Sequence, residues 1–323
     1  MRFLDAQDTA FAKAERELGI ILSAFASDGV DTIPFKGPAL ARRIYPRPGL
    51  RSFRDLDLLV RPRQRDRALA ILESLGYRDA VPDLSPNRRR AYHDYNGQDI
   101  LFALDRLPVE PHWAVAPRTM SADIDVNALF ARSIPIDTPG MGAVPGLAPE
   151  DALLVAASHG VKEQWARLIW LVDIAHMFAA WPSLDGDAVL DRAAACGCRR
   201  MVLLATALAQ DPLMATPPPC LAEAARTDPA VAALAAHVRR QLARPGTEAE
   251  APSVFTLTGF RWRARERLSD RLRYGWRTLL TARVPHFRTV PLPEYLAFLY
   301  PLVRIGRDAL TLPVWRVWLR SRA

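Results

Sequence analysis

The 323-residue chain is poor in cysteine and in lysine, with three of each: Cys196, Cys198 and Cys220, and Lys13, Lys36 and Lys162. Three thiols are too few for a disulfide framework, and the Cys-x-Cys spacing matches neither a zinc nor a thioredoxin pattern. There is no run of about 18 uncharged apolar residues, so no spanning helix is expected. The first 18 residues interleave Arg2, Asp5, Asp8, Lys13, Glu15 and Glu17 with their apolar positions, unlike a secretory signal. Internal repeats and low-complexity tracts are missing too. With 50% hydrophobic and 24% charged residues the chain reads as globular, about two domains by a rough 150-residue yardstick, with the cytoplasm as its expected compartment.

Charge is distributed unevenly. Forty of the 43 basic residues are arginine, which makes the ammonium kept at Lys36 conspicuous. Fourteen arginines but only four acidic residues lie in 260–323, which leaves 29 basic and 31 acidic residues in the first 259. The entire positive surplus is therefore C-terminal.

Periodicity supplies the organisation. Phe11, Ala14, Leu18, Ile21, Leu22 and Phe25 recur at helical spacing, which predicts a lead-in helix over 1–27. A short apolar run at 33–35, the Lys36-Gly37 turn and Pro38 ahead of Ala39, Leu40 and Ile44 read as strand, tight turn and helix. Residues 53–60 read as a strand. Ala68, Leu69, Ile71, Leu72 and Leu75 mark a helix that Gly76 stops. The polar, arginine-rich stretch 79–97 reads as a loop or lid, and 100–104 with 107–113 as a hairpin. Residues 134–149 hold four prolines and three glycines without periodicity, which sets the expected domain boundary. Helical patterns then run over 150–180, 186–197, 199–210 and 220–243. The division is 1–145, a helical domain 146–245, and a basic aromatic helical region 246–323.

The chemistry is concentrated in Arg51-Ser-Phe-Arg-Asp55-Leu-Asp57-Leu-Leu-Val60. On a strand, Asp55 and Asp57 project to the same side while Leu56 and Leu58 face the other. Two carboxylates meeting at one point repel unless a cation compensates, and hard oxygens suit Mg²⁺, which also holds substrate phosphates. Upstream, the Lys36-Gly37 turn opens a helix, where free backbone N–H groups and the positive end of the helix dipole can hold a phosphate. A D-x-D pair alone is equally the edge of a solvated strand. Arg51 and Arg54 flank the pair and can neutralise phosphate or pair with carboxylates.

This order resembles the nucleotidyltransferase superfamily. Phe35-Lys-Gly-Pro-Ala-Leu-Ala, with Tyr45-Pro-Arg-Pro-Gly-Leu-Arg-Ser-Phe-Arg-Asp-Leu-Asp-Leu-Leu-Val60, is similar to the bacterial "uncharacterised nucleotidyltransferase" family. The likeness continues through 68–77, Val109-Glu-Pro-His-Trp113, His159 and Arg167-Leu-Ile-Trp-Leu-Val-Asp-Ile-Ala175, and loosely through 296–304. It implies an α+β fold, a mixed sheet flanked by helices and followed by a mostly helical second domain. It also implies Asp55, Asp57 and Glu110 as catalytic metal ligands for Mg²⁺, with Lys36 and Gly37 on the triphosphate. Arg51 and Arg54 are further candidates for nucleotide binding, and His112 either orients a carboxylate ligand from behind or fills the sheet. The implied reaction moves a nucleoside monophosphate, adenylate from ATP, onto an acceptor hydroxyl or phosphate and releases pyrophosphate. The acceptor, whether peptide, protein side chain or small metabolite, is not specified. Two departures stand out: Gly37-Pro38 replaces the usual Gly-Ser, which removes a hydroxyl, and Pro111 in the Glu110 segment favours an edge strand.

Three rival readings remain. A catalytically degenerate nucleotide- or peptide-binding module of the same fold is the alternative that Pro38 favours. A metal hydrolase of His159, Asp173, His176 and His112 is weaker, because the run around 165–170 is packed and amphipathic. The C-terminal arginines interleaved with Trp262, Tyr274, Trp276, Phe287, Tyr295, Phe298, Tyr300, Trp315 and Trp318 can serve nucleic acid, an anionic membrane surface or an acidic partner. A packed subdomain with arginine stems over aromatic rings is the plainer account.

Overall fold

The computed structural model describes residues 2–81, 84–120, 122–138, 142–243, 254–281 and 284–310. The chain opens with α1 (Arg2–Ser27), whose Ala14, Leu18, Ile21, Leu22 and Phe25 form the buried stripe that the periodicity marks. β1 (Thr32–Pro34) turns into α2 (Gly37–Ile44), and β2 (Leu56–Val60) is followed by α3 (Arg65–Ser74). Next come β3 (Arg78–Asp79), α4 (Pro86–Asn96), β4 (Leu101–Phe102) and β5 (Val109–His112). These strands form one mixed sheet in the order β1-β2-β5-β4-β3, in which only β2 and β5 pair parallel. α5 (Val126–Ala131) leads into a separate hairpin of β6 (Ile134–Thr138) and β7 (Gly142–Gly146).

The remainder is helical, which completes the α+β architecture. α6 (Pro149–Lys162), α7 (Leu168–Ala180), α8 (Gly186–Ala195), α9 (Arg199–Leu213), α10 (Pro219–Thr227) and α11 (Pro229–Leu242) pack around a buried α9. α12 (Val254–Arg263), α13 (Leu268–Leu280), α14 (Val284–Thr289) and α15 (Tyr300–Leu310) close the described chain. Among the described residues no helix is long and apolar enough to cross a membrane. Trp315 and Trp318, and residues 244–253 between α11 and α12, lie outside the described residues.

The sheet separates two cores, and strand alternation decides what each receives. Leu56, Leu58 and Val60 pack with α1 and α3, in a cluster that includes Ile21, Phe25, Ile71 and Leu72. Leu59 points the other way, into a larger cluster with Phe35, Leu40, Leu153, Ile174 and Val202. Asp57 shares the Leu59 side. That larger cluster is continuous across residue 146, so the sheet and the following helices share apolar packing.

Several local expectations need correction. The 79–97 stretch is not a loop throughout: Ser85 and Pro86 start α4, and Gly97 at φ +71° ends it. Its polar sequence hid it from a hydrophobic-period reading. Within 134–149, Ile134–Thr138 and Gly142–Gly146 pair as antiparallel strands, with Ile136 opposite Val144. The expected 150–180 helix breaks where Gln164 and Trp165 take left-handed φ of 56° and 53°. The 220–243 helix breaks at Asp228-Pro229, where proline brings no N–H and the Asp228 carboxylate accepts from the Ala230 and Val231 N–H groups. β5 is an interior strand rather than the edge that Pro111 suggests. The Pro111 carbonyl accepts the Asp99 N–H at 3.1 Å, so its hydrogen-less nitrogen faces the 97–102 side, where the ladder is interrupted, and not β2.

Candidate active site

The site is built on β2 and β5. The register places Asp57 opposite Glu110, and parallel neighbours in register send their side chains to one face. Two residues on, Leu59 is opposite His112. β2 begins only at Leu56, later than the 53–60 expected, because its N–H bonds to the Pro108 carbonyl and Pro108 has no N–H to extend the ladder. Asp55 therefore sits in the bend just before the strand.

The turn after β1 delivers the cation. Lys36 precedes the first turn of α2 in extended backbone, φ −131° and ψ −160°, and its side chain makes no capping bond. It reaches back instead, with Nζ 3.0 Å from Asp57 Oδ1. Gly37 follows at φ +56°, a left-handed backbone, and a Cβ there would sit 3.2 Å from the Asp55 carbonyl oxygen. Glycine is thus required twice, for the φ and for the approach to the acidic bend. Pro38 occupies the helix start, where its missing N–H is not needed.

Asp57 is 5% exposed and is held on both sides. His112 Nε2 lies 3.0 Å from the same Oδ1 and 3.6 Å from Glu110 Oε2. Gln98 donates from Nε2 to Glu110 Oε2 at 2.7 Å, a partner with no motif around it in the sequence. Behind Gln98, the buried His93 and Asp99 pair at 2.8 Å and brace the turn that carries it.

Electrostatics separate the two aspartates. Burial pushes the Asp57 carboxyl up, but the Lys36 charge and the His112 hydrogen bond outweigh it and hold the group well below the usual carboxylate range. Asp55 is pushed up to about 6, first by burial and then by the charges of Asp57 and Glu110. Even with Lys36 present, the cluster remains short of positive charge.

Ligand-capable atoms of Asp57, Glu110 and His112 all lie within 4.8 Å of one another. This differs from the expected trio, since His112 rather than Asp55 completes the tightest group. The chemistry of His112 places it behind the carboxylates: an Nε2 hydrogen-bonded to Asp57 carries the proton and has no lone pair to give. Its Nδ1 is buried without a partner, and its ring stands edge-on to Phe35 with centroids 5.0 Å apart. The carboxylate oxygens of Asp57 and Glu110 are donors of the kind a hard divalent cation takes.

Helices of the second half wall the site. A cavity of about 30 Å³ is lined by Lys36, Arg51, His159, Trp170 and Asp173, among others. His159, on α6, packs edge-on against Trp170, and burial together with the Lys36 and Lys162 charges holds its pKa well below the ordinary 6.5. Of the two roles left open for Arg51, the structure shows carboxylate pairing. Arg51 is 6% exposed and makes a bidentate bond to Asp173, with both contacts at 2.8 Å, while the Tyr45 hydroxyl donates to the same carboxylate at 2.7 Å. Arg54 is exposed. The rival hydrolase set is not assembled, because Asp173 is committed to Arg51, His176 stacks on Tyr45 and His112 bonds Asp57.

Comparison with known proteins follows this geometry. Residues 5–213 match the family described as uncharacterised nucleotidyltransferase. The solution structure of the antibiotic-resistance factor ANT(2'')-Ia is 17% identical, over 54% of this chain and 86% of that one, with a TM-score of 0.37. No curated protein sequence matches the chain.

Proposed function

Because the chain belongs to the uncharacterised nucleotidyltransferase family, we propose that it transfers a nucleoside monophosphate, adenylate from ATP, onto an acceptor hydroxyl or phosphate. The observation that carries this reading is the register of Asp57 against Glu110 beside the Lys36-Gly37 turn, with Asp55 raised by burial and then by their charges. Asp55, Asp57 and Glu110 would hold Mg²⁺. Bound there, the ion supplies charge neutralisation at the attacking and leaving oxygens of an in-line displacement.

The chain's own residues do the rest. Lys36, now on Asp57, is placed to meet the triphosphate, and the N-terminal amides of α2 add positive potential. Asp57, held strongly acidic, is a poor proton acceptor. Glu110 serves as the base, since Gln98 fixes one of its oxygens and leaves the other for the acceptor O–H. As the acceptor oxygen bonds the α-phosphorus, its proton passes to Glu110 and the bond to the β-phosphate oxygen breaks. Pyrophosphate leaves with that electron pair. His112 keeps Asp57 oriented, and the packed helices α6 and α7 restrict water.

The test uses the full chain with ATP labelled at the α-phosphorus, Mg²⁺ and a library of hydroxyl and phosphate acceptors. Label incorporation with pyrophosphate release is expected, and Asp55→Asn, Asp57→Asn and Glu110→Gln should each lower it by at least 100-fold. Nucleotide binding without pyrophosphate release would instead identify a binding module.

A further inference from the structure

We propose that the C-terminal helices form a peripheral docking surface for an anionic lipid bilayer, which places the enzyme at a membrane face independently of its chemistry. Along α13, Leu268, Leu272, Trp276 and Leu279 lie 64%, 58%, 65% and 51% exposed. At 3.6 residues per turn these four fall on one face, over about 16 Å of helix. The opposite face is committed inward: Tyr274 and Asp270 are buried, and Arg277 donates to the Arg118 carbonyl. Leu272, Trp276 and Leu279 of the stripe, together with Trp262, Arg273 and Gly275, line an open groove that is mostly apolar.

α15 packs against α13, and the segment leading into it repeats the pattern. Tyr295, Phe298 and Leu302 are 77%, 72% and 63% exposed. Soluble surfaces scatter such side chains singly; grouped, they mark a contact surface.

The occupant is indicated by charge and side-chain type together. Residues 260–323 carry 14 arginines against four acidic residues, the whole positive surplus of the chain. Arg263 is exposed at the end of α12, and Arg267, which precedes α13, is exposed while one N–H donates to the Ala194 carbonyl. Single-stranded nucleic acid is held chiefly by cations and stacked aromatics. Here Leu268, Leu272, Leu279 and Leu302 dominate, and all four are aliphatic. Leucines that enter the acyl boundary, a tryptophan and a tyrosine at headgroup depth, and arginines on anionic headgroups are the composition of an interfacial helix.

The test is co-sedimentation of the full chain with vesicles of phosphatidylcholine alone or mixed equally with phosphatidylglycerol. At least tenfold stronger partition to the anionic vesicles is expected, falling as salt rises to 0.5 M. Leu272→Ser/Trp276→Ser should lower that partition at least fivefold while circular dichroism and ATP binding stay unchanged. Equal partition to both vesicle types, or binding indifferent to the double substitution, would overturn the proposal. So would full competition by a single-stranded RNA oligonucleotide, or a dimer in sedimentation velocity that the same substitutions dissociate.

Discussion

At the scale of single residues, Asp55 and Asp57 show how neighbours two positions apart acquire opposite properties. Both are largely enclosed, yet Asp57 receives Lys36 and His112 on one oxygen, whereas Asp55 is left with burial and, after it, the repulsion of the other carboxylates. Because Asp55 is raised from its ordinary 3.8 to about 6, the folded protein binds its proton more tightly than the unfolded chain. The associated stability is present below about pH 4 and is lost as pH rises through 6. Asp57 is lowered, so its contribution holds above the ordinary carboxylate range and is constant from pH 5 to 8. Asp55→Asn should therefore stabilise the metal-free protein at pH 7.5 by about 2 kcal/mol after allowance for solvent screening, and by little at pH 4. Urea unfolding in chelator at the two pH values measures this, and a loss of stability at both would refute the charge account. Gly37→Ala should cost about 1–2 kcal/mol, since the methyl meets the Asp55 carbonyl at an unfavourable φ. The same unfolding experiment should show it.

Elements are tied together by pairs that sequence spacing does not announce. The loop before β2 is anchored to α7 by the bidentate Arg51–Asp173 bond, with Tyr45 closing the third side, across 122 residues of chain. Removing one partner leaves a buried charge uncompensated. Asp173→Ala should thus destabilise by about 3–5 kcal/mol, whereas Arg51→Met/Asp173→Leu should recover most of the loss. Thermal melts of the single and double variants decide it, and equal losses in both would mean that the pair itself, not the orphaned charge, supplies the stability. Arg51 was open to phosphate or carboxylate in the sequence because a cation beside acidic residues is compatible with either partner. Only the position of α7 distinguishes them. α4 was hidden for a different reason: a helix whose buried contribution is chiefly His93 has no apolar period to detect.

At the scale of the whole molecule, the division at 145 drawn from composition meets a core that does not stop there. Phe35 and Leu40 from the sheet side share one cluster with Leu153, Trp165, Ile174 and Val202. Unfolding followed by tryptophan fluorescence and by far-ultraviolet circular dichroism should therefore give coincident transitions. Trp165→Ala, at a fully buried ring against Gly160, should lower both together by about 3–5 kcal/mol. Two separated transitions would mean that the sheet and the helices fold independently. The helical half also closes the site, since His159 and Trp170 come from α6 and α7 and line a cavity with Lys36.

The sequence by itself determined what local rules can fix: the lead-in helix, the Lys36-Gly37 turn, the acidic strand and the helical second half, because periodicity and backbone restriction act over a few residues. It also placed the acidic residues of interest on or beside strands. What only the tertiary structure decided was which strands become neighbours, and with it that Asp57 stands opposite Glu110, that Gln98 and His112 hold them, and that Arg51 turns to Asp173. Strand register and buried charge pairing arise from contacts between segments far apart in the chain, whose order along the sequence carries no record of their distance in space.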